Sequence, residues 1–413
     1  MALVTPLRPW RPREEFVRAV ASPPYDVLSR DEAVAMVAGN PLSFLRVEKS
    51  EMDLPPDTGM MDDRVFDAAR RNLRRLIDDG VLIRDPNPCF YIYSQQSGDD
   101  VQYGITAGVS VAEYESGRIR KHEQTRADKE AERTRHIAAA RAQTGLVFVV
   151  YRNRPAIEER VALAVRKRPL YDFTTEDGII HRVWGLHRER DIAFLKEAFA
   201  QVETLYIADG HHRAAAAAAV SHMKRRENPD DCKDQSDPLI MATLFPDHQV
   251  RILDYNRAVR HLNGLGQDEF LNKIKLKFDI TPDFTERKPA RMHTFGMYLK
   301  GRWFKLEARK ETFIEGDPVS RLDAAILQDH LLEPVLAIRD PRTDGGIDFI
   351  GGVRGMEALE KMVDSGEYAV TFALYPTTLA QLMDVADAGR IMPPKSTWFE
   401  PKLRSGIFVH PLD

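Results

Sequence analysis

A short apolar strand that runs into an alanine-rich helix constrains this sequence more than any other feature. The strand is predicted from Glu203 to Ala208, and the turn residues Asp209-Gly210 follow it. Six consecutive alanines then begin a segment, Ala214–Arg226, that ends in basic residues. Alanine has the highest helix propensity, and basic side chains suit the carboxyl end of a helix. The order strand, tight turn, helix is therefore predicted here.

The entrance of that helix carries residues that suit a phosphate group. A helix entrance presents unpaired N–H groups and a partial positive charge, so it accepts anions. Gly210 permits a sharp turn and a close approach of a ligand to the backbone. Arg213 can fork onto two oxygens, and imidazoles can donate further hydrogen bonds. A phosphate pocket is therefore predicted at Asp209, Gly210, His211, His212 and Arg213.

The same residues also suit a purely structural role. Asp209 can cap the helix, and the two histidines can be surface residues or hydrogen-bonded core residues. A zinc site is disfavoured, because His211 and His212 are adjacent and lack the i, i+4 spacing that puts two ligands on one helix face. The sequence therefore assigns no metal ligands, and a motif this short remains a hypothesis.

Composition restricts the class of protein. The chain has 413 residues, enough for two or three domains, and 43% hydrophobic with 30% charged residues indicates a globular protein. A net charge of −4 argues against general nucleic-acid affinity. No apolar stretch could span a bilayer, and no signal-peptide pattern opens the chain, so we expect a cytoplasmic protein. Cys89 and Cys232 have no metal or redox spacing and are expected to be free thiols.

The element pattern predicts an α+β protein with two regions. Residues 1–115 are expected to form an amino-terminal α/β region, and residues 116–413 the core. Within the core, residues 265–310 follow the order helix, strand, loop and two-stranded ribbon, which suits an inserted subdomain. Ser43–Val47 is predicted to be a strand. Ser22–Asp26, which holds two prolines, is either a loop that lines a site or a plain turn.

Two further segments carry candidate chemistry. His122 and Glu123 lie where a short predicted strand, Arg118–Arg120, joins a charged predicted helix, and a carboxylate at such a junction is either a cap or a reacting group. Near the carboxyl end, prolines exclude regular structure, and a point charge, two hydroxyls and an indole follow one another. That set suits a phosphate or a base, and its members are Lys395, Ser396, Thr397 and Trp398.

Three of these segments, taken in order, match one family pattern: Lys121–Gln124, Asp209–Arg213 and Pro394–Thr397. Through them the chain resembles the free L-serine kinases of the ParB/sulfiredoxin superfamily, in particular longer bacterial relatives catalogued as a domain of unknown function. The resemblance implies a ParB/sulfiredoxin-like core with insertions in residues 116–413. It also implies transfer of a phosphoryl group from ATP or ADP, with Mg²⁺, to free L-serine, which gives O-phospho-L-serine. It offers no counterpart for the first 115 residues.

The resemblance also implies roles for single residues. Glu123 matches the glutamate that takes the proton of the serine hydroxyl, and Asp209 matches the aspartate beside the transferred phosphoryl group. His122 is expected to contact the substrate. The nucleotide phosphates are expected on Gly210, His211, His212 and Arg213, with Lys395, Ser396 and Thr397 closing the nucleotide site.

Two related classes have other activities. Sulfiredoxins need a cysteine in this turn, and His211 stands in its place here, which argues against thiol-based repair of sulfinic acids. ParB-type proteins bind CTP and clamp DNA, and the sequence shows neither a clear helix-turn-helix nor a basic face. A non-catalytic regulator that binds CTP or ATP remains the alternative to a kinase.

Overall fold

A computed structural model describes residues 2–227 and 238–412, so Cys232 lies outside the described residues. The chain divides into two compact units. The first unit is Met1–Val250 together with Pro401–Asp413, and the second unit is Arg251–Glu400. The second unit is therefore continuous in sequence, whereas the first is interrupted by it.

The strands are, in chain order, β1 (Val4–Thr5), β2 (Trp10–Pro12), β3 (Leu82–Arg84), β4 (Phe90–Ser97), β5 (Asp100–Ser110), β6 (Ile119–Arg120), β7 (Ala142–Gln143), β8 (Val147–Tyr151), β9 (Tyr171–Thr174), β10 (Ile180–Leu186), β11 (Leu205–Asp209), β12 (Leu239–Pro246), β13 (Arg251–Leu253), β14 (Tyr255–Val259), β15 (Phe278–Pro282), β16 (Thr294–Leu299), β17 (Arg302–Ala308), β18 (Ile347–Gly351), β19 (Val370–Leu374), β20 (Trp398–Glu400) and β21 (His410–Pro411).

The α-helices are, in chain order, α1 (Val17–Val20), α2 (Arg30–Met36), α3 (Leu45–Glu48), α4 (Asp63–Asp78), α5 (Val111–Glu115), α6 (Ala127–Ala140), α7 (Pro155–Ala164), α8 (Glu189–Ala200), α9 (His211–Glu227), α10 (Gln267–Ile274), α11 (Asp323–Leu327), α12 (Met356–Asp364) and α13 (Leu379–Asp387).

A large mixed sheet organises the first unit. Its strand order is β6-β11-β8-β12-β5-β4-β10-β9, with β1 added to β5. The pairs β11–β6 and β12–β8 are parallel, and the other pairs are antiparallel. Strands β4 and β5 come from before residue 115 and pair with β10 and β12, so the boundary expected at residue 115 falls inside one sheet.

Helix α9 is buried on two faces, and its alanines make this possible. Ala214, Ala215, Ala217 and Ala218 belong to the apolar core of the sheet. Ala216 and Val220 instead pack with Ile137 of α6. Because a methyl group is the smallest apolar side chain, the helix can approach the sheet and α6 closely at once.

Side chains cap two helices in the amino-terminal part, and one predicted strand is absent there. Ser29 caps α2 with Glu32 in a capping box, and Asp62 caps the amphipathic helix α4. The strand predicted at Ser43–Val47 is wrong, since this segment leads into the short helix α3. Its buried residues Phe44, Leu45 and Val47 do not alternate, and such short apolar runs do not distinguish helix from strand.

A six-stranded antiparallel sheet forms the centre of the second unit. Its strand order is β15-β17-β16-β19-β14-β18. One apolar core includes residues of α10 and α11, and another includes Leu359 of α12. The segment 265–310, expected as an inserted subdomain, supplies β15–β17 to this sheet and α10 to the first of these cores.

Within the described ranges, none of the helices is both long enough and apolar enough to cross a bilayer.

Candidate functional site

The turn between β11 and α9 is shaped by a bulge and a glycine. Along β11, Ile207 pairs with Val149 and Asp209 with Phe148, so the register shifts at Ala208. Bulges of this kind often stand beside functional sites. Gly210 then adopts φ +89°, a conformation that strains any residue with a side chain. Helix α9 begins at the next residue, so the turn predicted from the sequence is confirmed.

Asp209 is held as a carboxylate by a residue from the carboxy-terminal segment. Its Oδ1 accepts a hydrogen bond of 2.7 Å from the Gly210 N–H, and its Oδ2 lies 2.8 Å from Lys402 Nζ. Burial alone would raise the pKa of Asp209, but Lys402 and Arg213 together lower it below its ordinary value. Lys402 is a site residue that sequence reasoning missed, because no local pattern distinguishes it from a surface lysine.

His122, Glu123 and His211 come together although two distant segments supply them. The His122 and His211 rings meet edge to face, with centroids 4.5 Å apart at an interplanar angle of 88°. His211 Nδ1 lies 3.9 Å from Glu123 Oε2. The structure thus brings the histidine–glutamate pair next to the turn, as its assigned role requires.

Both of these imidazoles are neutral at pH 7. Burial lowers the pKa of His122 to about 4. Burial, followed by the neighbouring His122, lowers the pKa of His211 well below its ordinary value. Each ring therefore offers at least one nitrogen lone pair near neutral pH.

His212 and Arg213 are tied to the surrounding protein. His212 Nε2 accepts a hydrogen bond of 3.0 Å from the N–H of Arg126, the residue before α6. The Arg213 side chain is 10% exposed; Nη1 donates to the Leu146 carbonyl, and Nη2 lies 3.4 Å from Asp26 Oδ2. The Arg213 guanidinium thus joins the first turn of α9 to the Leu146 backbone and to Asp26. Its role as a phosphate ligand stays a prediction.

A buried charged cluster beside Arg213 includes residues from the amino-terminal segment. Arg133 contacts Glu48 at 3.3 Å and Glu132 at 2.8 Å, and its guanidinium lies 3.9 Å from the centroid of the Tyr25 ring. Asp26 follows Tyr25 in the Ser22–Asp26 segment. That segment therefore lines the candidate site, which was one of the two interpretations its prolines allowed.

Lys395, Ser396 and Thr397 lie in the second unit, just before β20. Lys395 has φ +57°, and its Nζ lies 5.8 Å from the centroid of the Tyr255 ring. Ser396 Oγ donates to the Pro393 carbonyl at 2.6 Å, which fixes the local turn. That these residues close a nucleotide site stays a prediction.

A buried arginine stands on the same strand as Tyr255. Arg257 Nη1 donates a hydrogen bond of 2.6 Å to the Tyr255 carbonyl, and its guanidinium lies 4.6 Å from the centroid of the Phe349 ring. Among the described residues no carboxylate pairs with it, and burial lowers the pKa of Arg257 to about 10. The sequence analysis did not single out this residue, because a lone arginine in a strand carries no motif.

Mg²⁺, which the family resemblance implies, does not fit the donors beside the turn as a protein-held ion. Mg²⁺ prefers an octahedron of oxygens. Both oxygens of Asp209 are already contacted, and two of the three potential ligands in the cluster of His122, Glu123 and His211 are imidazoles. Any Mg²⁺ that accompanies a nucleotide would therefore be held mainly by phosphates.

Comparison with known proteins gives one family and several distant structures. The family described as "Protein of unknown function (DUF1015)" matches residues 4–325. Among curated proteins, none matches the chain.

The similar solved structures have low sequence identities to this chain and low TM-scores. A free serine kinase in complex with AMP is 12% identical, with a TM-score of 0.36 over 71% of this chain and 86% of that one. SbnI from Staphylococcus aureus, with a carboxy-terminal truncation, is 11% identical, with a TM-score of 0.40 over 74% and 87%. A conserved hypothetical protein from Pyrococcus furiosus is 12% identical, with a TM-score of 0.36 over 76% and 97%. Because the family match spans most of the 413 residues, the chain belongs to the DUF1015 family.

Proposed function

We propose that this protein is a small-molecule kinase that transfers a phosphoryl group from ATP or ADP to the hydroxyl of free L-serine. Its core is assigned to the ParB/sulfiredoxin-like fold. The observation that carries the proposal is the approach of Glu123 to the phosphate-type turn, 3.9 Å from His211. A candidate proton acceptor and a candidate anion site are thus neighbours, which is the minimum that phosphoryl transfer to an alcohol requires.

The reaction needs positioning and charge stabilisation more than covalent chemistry. The transition state of phosphoryl transfer is loose, and negative charge spreads over the transferred oxygens. In the proposed site, the N–H groups of the first turn of α9 face this charge. The acceptor oxygen forms its bond to phosphorus while the bond to the leaving phosphate oxygen breaks, and the leaving nucleotide keeps that electron pair.

Glu123 is assigned the hydroxyl proton. Its side chain is 37% exposed, so an incoming alcohol can reach it. A carboxylate aligns the hydroxyl through a hydrogen bond and receives the proton as the new bond forms. Asp209 stays ionised beside Lys402, and this pair keeps the turn close to neutral in charge.

The test is direct detection of product. The purified full-length protein is incubated with serine, Mg²⁺ and either ATP or ADP, and O-phospho-L-serine is measured by mass spectrometry. Homoserine, threonine and glycerol in parallel reactions identify another hydroxyl acceptor. Product that forms with serine and depends on the nucleotide supports the proposal.

The alternative, a non-catalytic nucleotide-binding regulator, predicts a different result. It gives saturable binding of CTP or ATP by calorimetry with no phosphorylated product from any acceptor. That combination would contradict the kinase assignment.

A further inference from the structure

Two buried histidines beside the turn have polar atoms without partners. His122 is 2% exposed and His211 is 4% exposed. Among the described residues, Nε2 of His211 has no hydrogen-bond partner, and neither ring nitrogen of His122 makes a well-formed hydrogen bond, although the backbone of Ile207 lies close to that ring. A buried polar group left without a partner costs on the order of 1–3 kcal/mol. Such groups in native structures call for an explanation, such as backbone strain, a catalytic role, or a bound water or ion.

A carboxylate completes a compact donor set. His122, Glu123 and His211 each offer one ligand atom, and these atoms all lie within 4.8 Å of one another. In a tetrahedral site with bonds of ~2.1 Å, ligand atoms are about 3.4 Å apart. The His211–Glu123 separation of 3.9 Å therefore needs only a small side-chain adjustment.

We infer that His122, Glu123 and His211 bind a divalent first-row transition-metal ion. This inference rests on the site of the proposed function and names an ion for it that differs from the Mg²⁺ of the nucleotide. Two imidazoles and one carboxylate are a ligand set found at catalytic Zn²⁺ centres, and imidazole nitrogens select such ions over Mg²⁺.

An ion at the inferred site would also be able to bind the hydroxyl group that is to be phosphorylated. Three protein ligands leave a coordination position open, and an ion there could bind a hydroxyl oxygen and lower its pKa. Glu123 carries two oxygens, so one can contact the ion while the other faces an acceptor. The buried imidazoles would then serve as ligands, and phosphate binding would fall to the backbone of the turn.

The inferred site can be compared with a second group of potential metal ligands, which consists of Asp85, Cys89 and His187. Asp85 already accepts hydrogen bonds from Arg11 and from the Tyr91 hydroxyl. Its carboxylate therefore has partners that a metal ion would have to displace. In the part of the chain that the structure describes, no side chain donates or accepts a hydrogen bond at either ring nitrogen of His122 or at Nε2 of His211.

The experiment is a metal titration of the full-length protein after treatment with a chelator. Co²⁺ is followed by its visible absorption bands and Zn²⁺ by calorimetry. We expect one Co²⁺ per chain, with affinity at least tenfold weaker in the His122→Asn and His211→Asn variants and unchanged in His187→Ala. Absence of bound Co²⁺ and Zn²⁺, or wild-type affinity in both asparagine variants, would overturn the inference.

Folding of the variants is checked by circular dichroism, since both histidines are buried. Glu123→Gln provides a second route, because its partly exposed side chain can be changed with little effect on packing. It should weaken Co²⁺ binding, whereas His222→Ala, at an exposed histidine paired with Glu115, should not. Equal Co²⁺ affinity in Glu123→Gln and wild type would count against Glu123 as a ligand.

Failure of this inference is distinguishable from failure of the proposed function. Nucleotide affinity and phosphoserine formation are measured on the same preparations. Turnover with Mg²⁺ by protein that binds neither Co²⁺ nor Zn²⁺ would contradict the metal site alone. Stoichiometric Co²⁺ binding that depends on both histidines, without turnover, would support the metal site and contradict the kinase.

Discussion

Charge at the candidate turn is set by side chains that are distant in sequence. Asp209 faces Lys402 at 2.8 Å, and Arg213 faces Asp26 at 3.4 Å. Each pair joins the strand–turn–helix segment to one end of the first unit's sequence. A short motif identifies candidate anion ligands, but it does not show which counter-charges surround them, because those depend on tertiary contacts.

Lys402→Met is expected to lower the free energy of unfolding by about 1–3 kcal/mol, the range for a buried polar group that loses its partner. The substitution leaves Asp209 partly buried without its cation, and the two side chains are only 17% and 27% exposed. The double variant with Asp209→Asn removes both charges and should recover part of the loss, as measured by urea denaturation. Additive losses from the two single variants would show that the pair has no coupling.

The buried carboxyl group of Asp323 should make the stability of the second unit depend on pH. Burial raises its pKa from 3.8 to about 7, while its Oδ1 accepts a 2.9 Å hydrogen bond from the His293 N–H. Between these values the unfolded chain has lost the proton and the folded chain keeps it, so stability falls as pH rises from about 4 to 7. At pH 8 this effect lowers the free energy of unfolding by on the order of 4 kcal/mol, relative to its value when Asp323 is protonated in both states.

Asp323→Asn resembles the protonated side chain and should remove this loss. We expect the variant to match wild type at pH 4 and to be more stable at pH 8 in urea denaturation. The control is Asp340→Asn, whose carboxylate pairs with Arg342 on the surface and titrates at lower pH. Parallel pH profiles for wild type and Asp323→Asn would contradict the raised pKa.

At the scale of elements, α9 connects the sequence pattern to the site. The alanine run predicts a helix from propensity alone, and the strand–turn–helix order is confirmed. Propensity does not show that this helix is buried on two faces. Nor does the sequence show the bulge at Ala208, because a register shift depends on the partner strand β8. The predicted strand at Ser43–Val47 failed for a similar reason, since tertiary burial decided its conformation.

Ala216→Leu tests the close packing of α9. Ala216 is fully buried against Ile137, so added carbon atoms must displace neighbours, and we expect a loss of about 1–3 kcal/mol. Ala219→Leu makes the same change at a partly exposed position of the same helix, so both variants change helix propensity equally. It should change the free energy of unfolding by less than about 0.5 kcal/mol. Thermal denaturation of both variants gives the comparison, and equal effects would indicate that α9 is not closely packed at Ala216.

At the scale of the whole molecule, two units with separate cores share one chain. Composition and length predicted more than one domain, but the expected boundary at residue 115 lies within the first unit's sheet. The pattern of elements could not locate the division, since strands that are distant in sequence pair in space. Local sequence patterns likewise do not predict that Pro401–Asp413 belongs to the first unit.

The fragment 251–400 is expected to fold by itself. It contains a complete six-stranded sheet with its own apolar cores, and its length is ordinary for a domain. We expect native near-ultraviolet circular dichroism and cooperative unfolding. The fragment 1–250 lacks Lys402 and β21 and should be less stable than the same unit in the full chain. An unfolded 251–400 fragment would contradict the assignment of an independent second unit.

The most direct test of the central claim, that Glu123 and the β11–α9 turn form one catalytic site, is the phosphoserine-forming rate of Glu123→Gln with nucleotide affinity measured in parallel. Loss of the proton acceptor should lower the rate by roughly 10²–10⁴-fold. The dissociation constant for the nucleotide should change little, and Glu115→Gln, a surface control, should leave both unchanged. A Glu123→Gln variant with the wild-type rate would contradict the account.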